Sequence, residues 1–149
     1  MQIYINLHMF AKQLNNNKMN MKIEHIGIWV DDLEKMRNFY LTYFNLECSE
    51  KYKNLKNGFT SYFLKFGTCV TRLELMNRPD IVDEPSKRGF SKGIAHFAIS
   101  IGGTEAVDLL TERLRNDGFT IASEPRTTGD GYYESVVLDP EGNYLEISA

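Results

Sequence analysis

The sequence predicts an α+β domain built from two tandem β-α-β-β-β modules, and three observations carry that prediction. His25 and Glu74 are 49 positions apart while His96 and Glu146 are 50 apart, so one His…Glu spacing is written twice. The two histidines are offset by 71 positions and the two glutamates by 72, the mark of an internal duplication. Each histidine also lies in a short alternating segment followed by an amphipathic helical pattern and then by further strand-like runs.

In the segment Ile23 to Val30, the residues Ile26, Ile28 and Val30 fall on one face of a strand, with His25, Gly27 and Trp29 on the other. Asp32 is placed to cap the helix that follows, where Leu33, Met36, Phe39, Tyr40, Tyr43 and Phe44 recur at helical spacing as far as about Asn45. A weak strand around Cys48 to Tyr52, a second over Thr60 to Lys65 and a third over Cys69 to Met76 complete the module, with Asn57-Gly58 and Phe66-Gly67 as turns. Glu74 stands between Leu73 and Leu75, so its carboxylate takes the face opposite the apolar neighbours.

The polar stretch from Asn77 to Gly93, with Pro79, Pro85, Gly89 and Gly93, reads as a linker that could close as a lid. The second module repeats the pattern. Ala95, Phe97, Ile99 and Ile101 form an apolar strand face opposite His96, and a helix runs from about Thr104 to a stop at Gly118. Strands follow over Thr120 to Ala122, Tyr132 to Leu138 and Tyr144 to Ser148, with Asp139-Pro140-Glu141-Gly142 as the hairpin turn. Glu146 lies between Leu145 and Ile147. The expected organisation is an extension over residues 1–20 and one domain over 21–149: module one 21–76, linker 77–93, module two 94–149.

At 149 residues the chain fits a single domain, and its net charge of −3 offers no basic footprint for nucleic acid or an anionic membrane. A small-molecule substrate is the expected partner. Cys48 and Cys69 are isolated, without metal-ribbon spacing, and read as reduced thiols of a cytoplasmic protein. No run approaches the roughly 18 apolar residues of a membrane span. Residues 1–20 lack the pattern of a secretory signal. With Met19 and Met21 directly before the first strand, they read as an upstream-start extension or an arm packing on a partner subunit, and His8 as a surface residue.

Two imidazoles and two carboxylates make a ligand set for one divalent metal, and His25, Glu74, His96 and Glu146 are expected to face one polar concavity. The plain alternative is that the glutamates are solvated and the histidines ordinary. Two of only three histidines standing in register favours the metal.

These residues resemble a known family. Ile23-Glu24-His25-Ile26-Gly27-Ile28, Leu73-Glu74-Leu75, Gly93-Ile94-Ala95-His96-Phe97-Ala98 and Asp139-Pro140-Glu141-Gly142-Asn143-Tyr144-Leu145-Glu146-Ile147 resemble the vicinal oxygen chelate superfamily, and within it glyoxalase I, over about residues 21 to 149. The resemblance implies a curled mixed sheet whose concave face chelates one divalent ion (Ni, Co, Zn, Mn or Fe), in a homodimer. It implies that His25, Glu74, His96 and Glu146 are the ligands. It further implies that Glu146, and after it Glu74, is the catalytic carboxylate of a metal-dependent lyase or isomerase working through an enediolate. Ring-cleaving dioxygenases and fosfomycin-resistance transferases of the superfamily resemble the chain at His25, His96 and Glu146 only, and Glu74 favours the isomerase-like branch.

One departure concerns glutathione. Glyoxalase I commonly carries an arginine shortly after its first ligand histidine, and here the stretch is Gly27-Ile28-Trp29-Val30-Asp31-Asp32, without a cation. Arg78, Arg88, Lys92 and Arg126 are loop residues that could contact an anion instead. Tyr133 joins Ser135 on the Glu146 face if the 139–142 turn has two residues, whereas a bulge would put Glu134 and Val136 there. With Tyr133 and Arg126 as candidate substrate contacts, the alternative function is a metal-free small-molecule or drug-binding module like the bleomycin-resistance proteins.

Overall fold

The computed structural model describes residues 22–82 and 88–149. The expected extension over 1–20, with His8, and Pro85 of the linker lie outside the described residues.

Strand β1 (His25–Trp29) has the alternating burial expected of it, with Ile26 and Ile28 inward and Val30 just beyond them buried. Helix α1 (Leu33–Phe44) starts where Asp32 accepts a hydrogen bond from the Lys35 amide at 2.9 Å, and ends at Asn45 in the left-handed conformation, φ 49°. Its apolar stripe, Leu33, Met36, Phe39 and Tyr40, is buried against β4 (Phe59–Lys65) and β5 (Arg72–Asn77). The weak strand expected at Cys48 to Tyr52 is two short strands, β2 (Glu47–Cys48) and β3 (Tyr52–Asn54), both pairing with β4.

The second module contains β6 (Phe97–Ser100), α2 (Thr104–Asn116), β7 (Ile121–Thr127), β8 (Tyr133–Leu138) and β9 (Tyr144–Ser148). Both modules share one topology: the first strand pairs parallel with the last, β1 with β5 and β6 with β9, and the rest pair antiparallel. The duplication legible in the ligand spacing is therefore also a duplication of strand order. The result is two mixed sheets, β1-β5-β4-β2 with β3 beside β4, and β6-β9-β8-β7.

Strand β7 is longer than the sequence suggests. It continues through Pro125 to Thr127, so Arg126 lies on a strand opposite Glu134 instead of on a loop. Proline cannot donate to a ladder, but β7 is the outer strand and its register shifts between Ser123 and Arg126, which accommodates the ring.

A single core joins the modules. Phe39 packs on Phe119 with ring centroids 4.9 Å apart, and Tyr40 lies 6.3 Å from Phe97. The buried Asp139 is the polar centre of the junction. Its Oδ2 accepts from the Tyr40 hydroxyl at 3.0 Å and from Asn143 Nδ2 at 2.7 Å, while Oδ1 accepts from the amides of Glu141 and Asn143. Burial, and then the Asp139 carboxylate, push the Tyr40 phenol well above its ordinary value, keeping it a neutral donor. Glu141 in turn accepts from the amides of Asp31 and Asp32 at 2.8–2.9 Å. Asp139→Ala strips four donors of their acceptor, one of them in a buried side chain. It should destabilise the fold by about 1–3 kcal/mol, read as a lower urea midpoint at unchanged m-value.

Candidate metal centre

The first pair forms on neighbouring parallel strands. In the β1/β5 register Gly27 stands opposite Glu74 and His25 opposite Arg72, so His25 and Glu74 are diagonal neighbours on the face away from α1. His25 Nε2 lies 3.6 Å from Glu74 Oε2. Gly27 leaves room for the Met76 thioether: a Cβ there would lie 2.7 Å from Met76 Cε, and only in ordinary contact, 4.0 Å, with Glu74 Oε2.

The other nitrogen of His25 is also engaged. Nδ1 pairs with the Glu24 carboxylate, which Arg72 also holds. Hydrogen bonds from His25 and then Arg72 keep the Glu24 carboxyl below its usual value. With Nδ1–H donating to Glu24, the Nε2 lone pair is left facing Glu74. Phe63 stands edge-on to the imidazole at 5.4 Å, and the Arg72 guanidinium covers the Phe63 ring at 4.1 Å.

The second pair repeats the first. His96 sits one residue ahead of β6, not within the strand as expected, and Glu146 lies on β9 opposite Ala98. His96 Nε2 is 3.4 Å from Glu146 Oε2. Glu146 is largely sheltered, its side chain 18% exposed. Desolvation, and then the neighbouring Glu134 carboxylate, raise its proton affinity, against the opposing pull of His96 and Arg126. Arg126 closes the row, with Nη2 3.5 Å from Glu134 Oε1.

Both separations exceed an ordinary N–H···O hydrogen bond of about 2.7–3.2 Å. Two ligands on one ion, with bonds of about 2.0–2.2 Å, lie about 2.8–3.1 Å apart at a right angle and about 3.3–3.6 Å apart at a tetrahedral one, so both separations fall at the wide end of that range. The donor chemistry of each pair therefore suits a divalent cation. The single four-ligand cluster expected from sequence is not assembled, however: among the described residues no three His, Cys, Asp or Glu side chains converge as a metal-ligand group. Each pair belongs to its own sheet.

Tyr133 is a correction. Val136 pairs with Glu146 and Ser135 with Ile147, so Glu134 and Val136 share the Glu146 face and Tyr133 takes the other. There its hydroxyl donates to Asp108 Oδ1 on α2 at 2.7 Å. Gly142 decides the register. At φ 81° it occupies a left-handed position that adds a third residue to the connection and shifts the pairing by one.

Sequence reasoning missed Glu24, Arg72 and Phe63, and held Glu134 only as one of two registers. Glu24 escaped because strand alternation would turn it from His25, whereas it precedes the first residue of β1. Its adjacency to the ligand histidine was the available signal. A cavity of about 210 Å³ reaches His96 beside Trp29 and Tyr144. A larger one of about 680 Å³, between the C-terminal end of α1 and α2, is mainly apolar and touches none of the four ligand-type residues.

The family model described as the glyoxalase/bleomycin resistance protein/dioxygenase superfamily matches residues 22–147. The chain belongs to that superfamily. Solved structures agree in fold. A glyoxalase family protein from Enterococcus faecalis superposes with TM-score 0.69 at 20% identity, over 87% of this chain and 98% of that one. The trypanothione-dependent glyoxalase I of Leishmania major gives TM-score 0.64 at 23% identity, over 87% and 86%. Glyoxalase I from Zea mays gives 0.68 at 24% identity, over 85% of this chain, which spans only 44% of the maize chain. None of the curated proteins compared with the chain matches it.

Proposed function

We propose that this superfamily member is a metal-dependent lyase or isomerase of the glyoxalase type, moving a proton between adjacent carbons of a small α-oxygenated substrate. The observation that carries the reading is the matched pair of separations, 3.6 Å at His25 and Glu74 and 3.4 Å at His96 and Glu146. Family membership and the fold shared with glyoxalase I enzymes support it. His25, Glu74, His96 and Glu146 would hold one divalent ion, Ni, Co, Zn, Mn or Fe, leaving positions for two neighbouring substrate oxygens. Such an ion, when bound, polarises a carbonyl and acidifies the adjacent C–H.

The chain's own residues supply the rest. Glu146 is the first candidate to take that proton and return it to the neighbouring carbon, as a sheltered carboxylate on the face it shares with Glu134. Glu74 is the second. Because the pairs stand on separate sheets, we assign the complete ligand set to a homodimer, His25 and Glu74 of one protomer meeting His96 and Glu146 of the other across a two-fold axis.

Metal analysis of protein purified without chelator, with thermal shifts on adding Ni²⁺, Co²⁺, Zn²⁺ or Mn²⁺, tests the reading. A bound ion and a raised melting temperature support it; no ion and no shift would leave a metal-free binding module. Glu24→Gln should weaken metal binding by about 10–100-fold through its loss of hold on His25 Nδ1, measured by calorimetry. With Trp29 in the stretch where glyoxalase I commonly has an arginine, the methylglyoxal–glutathione hemithioacetal should be a poor substrate. Efficient lactoylglutathione formation would overturn that expectation.

A further inference from the structure

The two halves of the chain repeat each other's strands, so each residue around His25 has a counterpart around His96. The comparison sets the two imidazoles apart. Shifted by the 71 and 72 positions that relate the histidines and the glutamates, Glu24 falls on Ala95 and Arg72 on Tyr144. Phe63 is the β4 partner of Glu74, and Val136 is the β8 partner of Glu146. The second half thus carries Ala95, Tyr144 and Val136 where the first carries Glu24, Arg72 and Phe63.

Those three residues of the first half act on His25 together. Arg72 stands directly beside His25 in the β1/β5 register. From there its Nη2 donates to Glu24 Oε1, while Glu24 Oε2 meets His25 Nδ1. One carboxylate thus spans a guanidinium and an imidazole, with one oxygen to each. The same guanidinium covers the Phe63 ring at 4.1 Å, and Phe63 stands edge-on to His25 at 5.4 Å and 87°. Glu24 holds the nitrogen of His25, Phe63 braces its ring, and Arg72 touches both supports. His96 has no such frame: among the described residues its polar contact is through Nε2, with Glu146, and no hydrogen bond reaches its Nδ1.

An imidazole ligates through a nitrogen that carries no proton, and the hydrogen bond at the other nitrogen decides which one that is. We propose that Arg72 is a positioning residue: through Glu24 and Phe63 it presents His25 with the Nε2 lone pair ready for the ion, whereas His96 settles into its ligating tautomer only when the ion arrives. The proposal rests on the metal reading of His25 and His96. A guanidinium suits the place because its planar fork can bond a carboxylate and lie flat on a ring at once.

The test needs no turnover. Metal-free protein, isotope-labelled at the imidazole nitrogens, is read by NMR at a pH where the rings are neutral. His25 should show Nδ1–H with a bare Nε2, and His96 a mixture of both tautomers. Arg72→Met should move His25 to such a mixture, while Arg72→Lys, which keeps a charged donor for Glu24, should hold most of the native form. In calorimetry with Ni²⁺, Arg72→Met should bind about tenfold more weakly. The sign is decisive, because removing a cation from beside a divalent ion would by itself tighten binding. Added to Glu24→Gln, Arg72→Met should weaken nickel binding little further, since both act on the same nitrogen. Should Arg72→Met not fold, Arg72→Gln faces the same two readings. One tautomer mixture shared by both native histidines, a His25 tautomer unmoved by loss of Arg72, or tighter nickel binding without it each overturns the proposal and leaves the metal reading standing. No nickel uptake by the native protein overturns the metal reading and the role of Arg72 with it, whatever the tautomers.

Discussion

Glu146→Gln should keep most of the metal and lose turnover by about 10²–10⁴, because the amide retains an oxygen for coordination but cannot carry a proton at neutral pH. The assay substrate comes from a screen of α-hydroxycarbonyl compounds with the metallated protein. Metal content is measured on the same sample, so that loss of the ion and loss of the base are read separately. Glu134, which shares the Glu146 face, provides the internal contrast. Glu134→Gln removes a neighbouring negative charge and should change the rate far less. If Glu74→Gln is the inactive variant and Glu146→Gln is not, the base is the other carboxylate; if both glutamines sustain turnover, the enediolate scheme fails.

His25→Ala and His96→Ala should each be devoid of metal, and mixing the two inactive proteins should restore about a quarter of the native sites. The arithmetic follows from two-fold symmetry. Random exchange makes half the dimers mixed. In each mixed dimer one centre lacks both histidines while the other has His25 from one protomer and His96 from the other. A site built within one chain gives no recovery at any mixing ratio, because every chain lacks one ligand. Nickel content after denaturation and refolding together, against each variant refolded alone, decides between the two arrangements.

Period-two alternation around His25, Glu74 and Glu146 put those three side chains on the faces the structure shows, because it depends only on neighbours in sequence. Helix α1 was equally legible, its apolar spacing and the Asp32 cap both being local signals. What escaped was settled between elements. One left-handed glycine, Gly142, set the β8/β9 register and exchanged Tyr133 for Glu134 beside Glu146. Pro125 concealed a strand because an outer strand tolerates what an inner one would not. The division of the ligands into two pairs was invisible for the same reason, since spacing along a chain says nothing about how two sheets face each other.

The Glu141 contact bears on how a repeated protein ages. Its carboxylate, from the hairpin of the second repeat, receives the Asp31 and Asp32 amides where the first repeat's helix begins. An ancestral single repeat would have had to find that acceptor in a twin chain. Once the two were fused, the debt became internal, and either half expressed by itself starts its helix or ends its hairpin without the other's help.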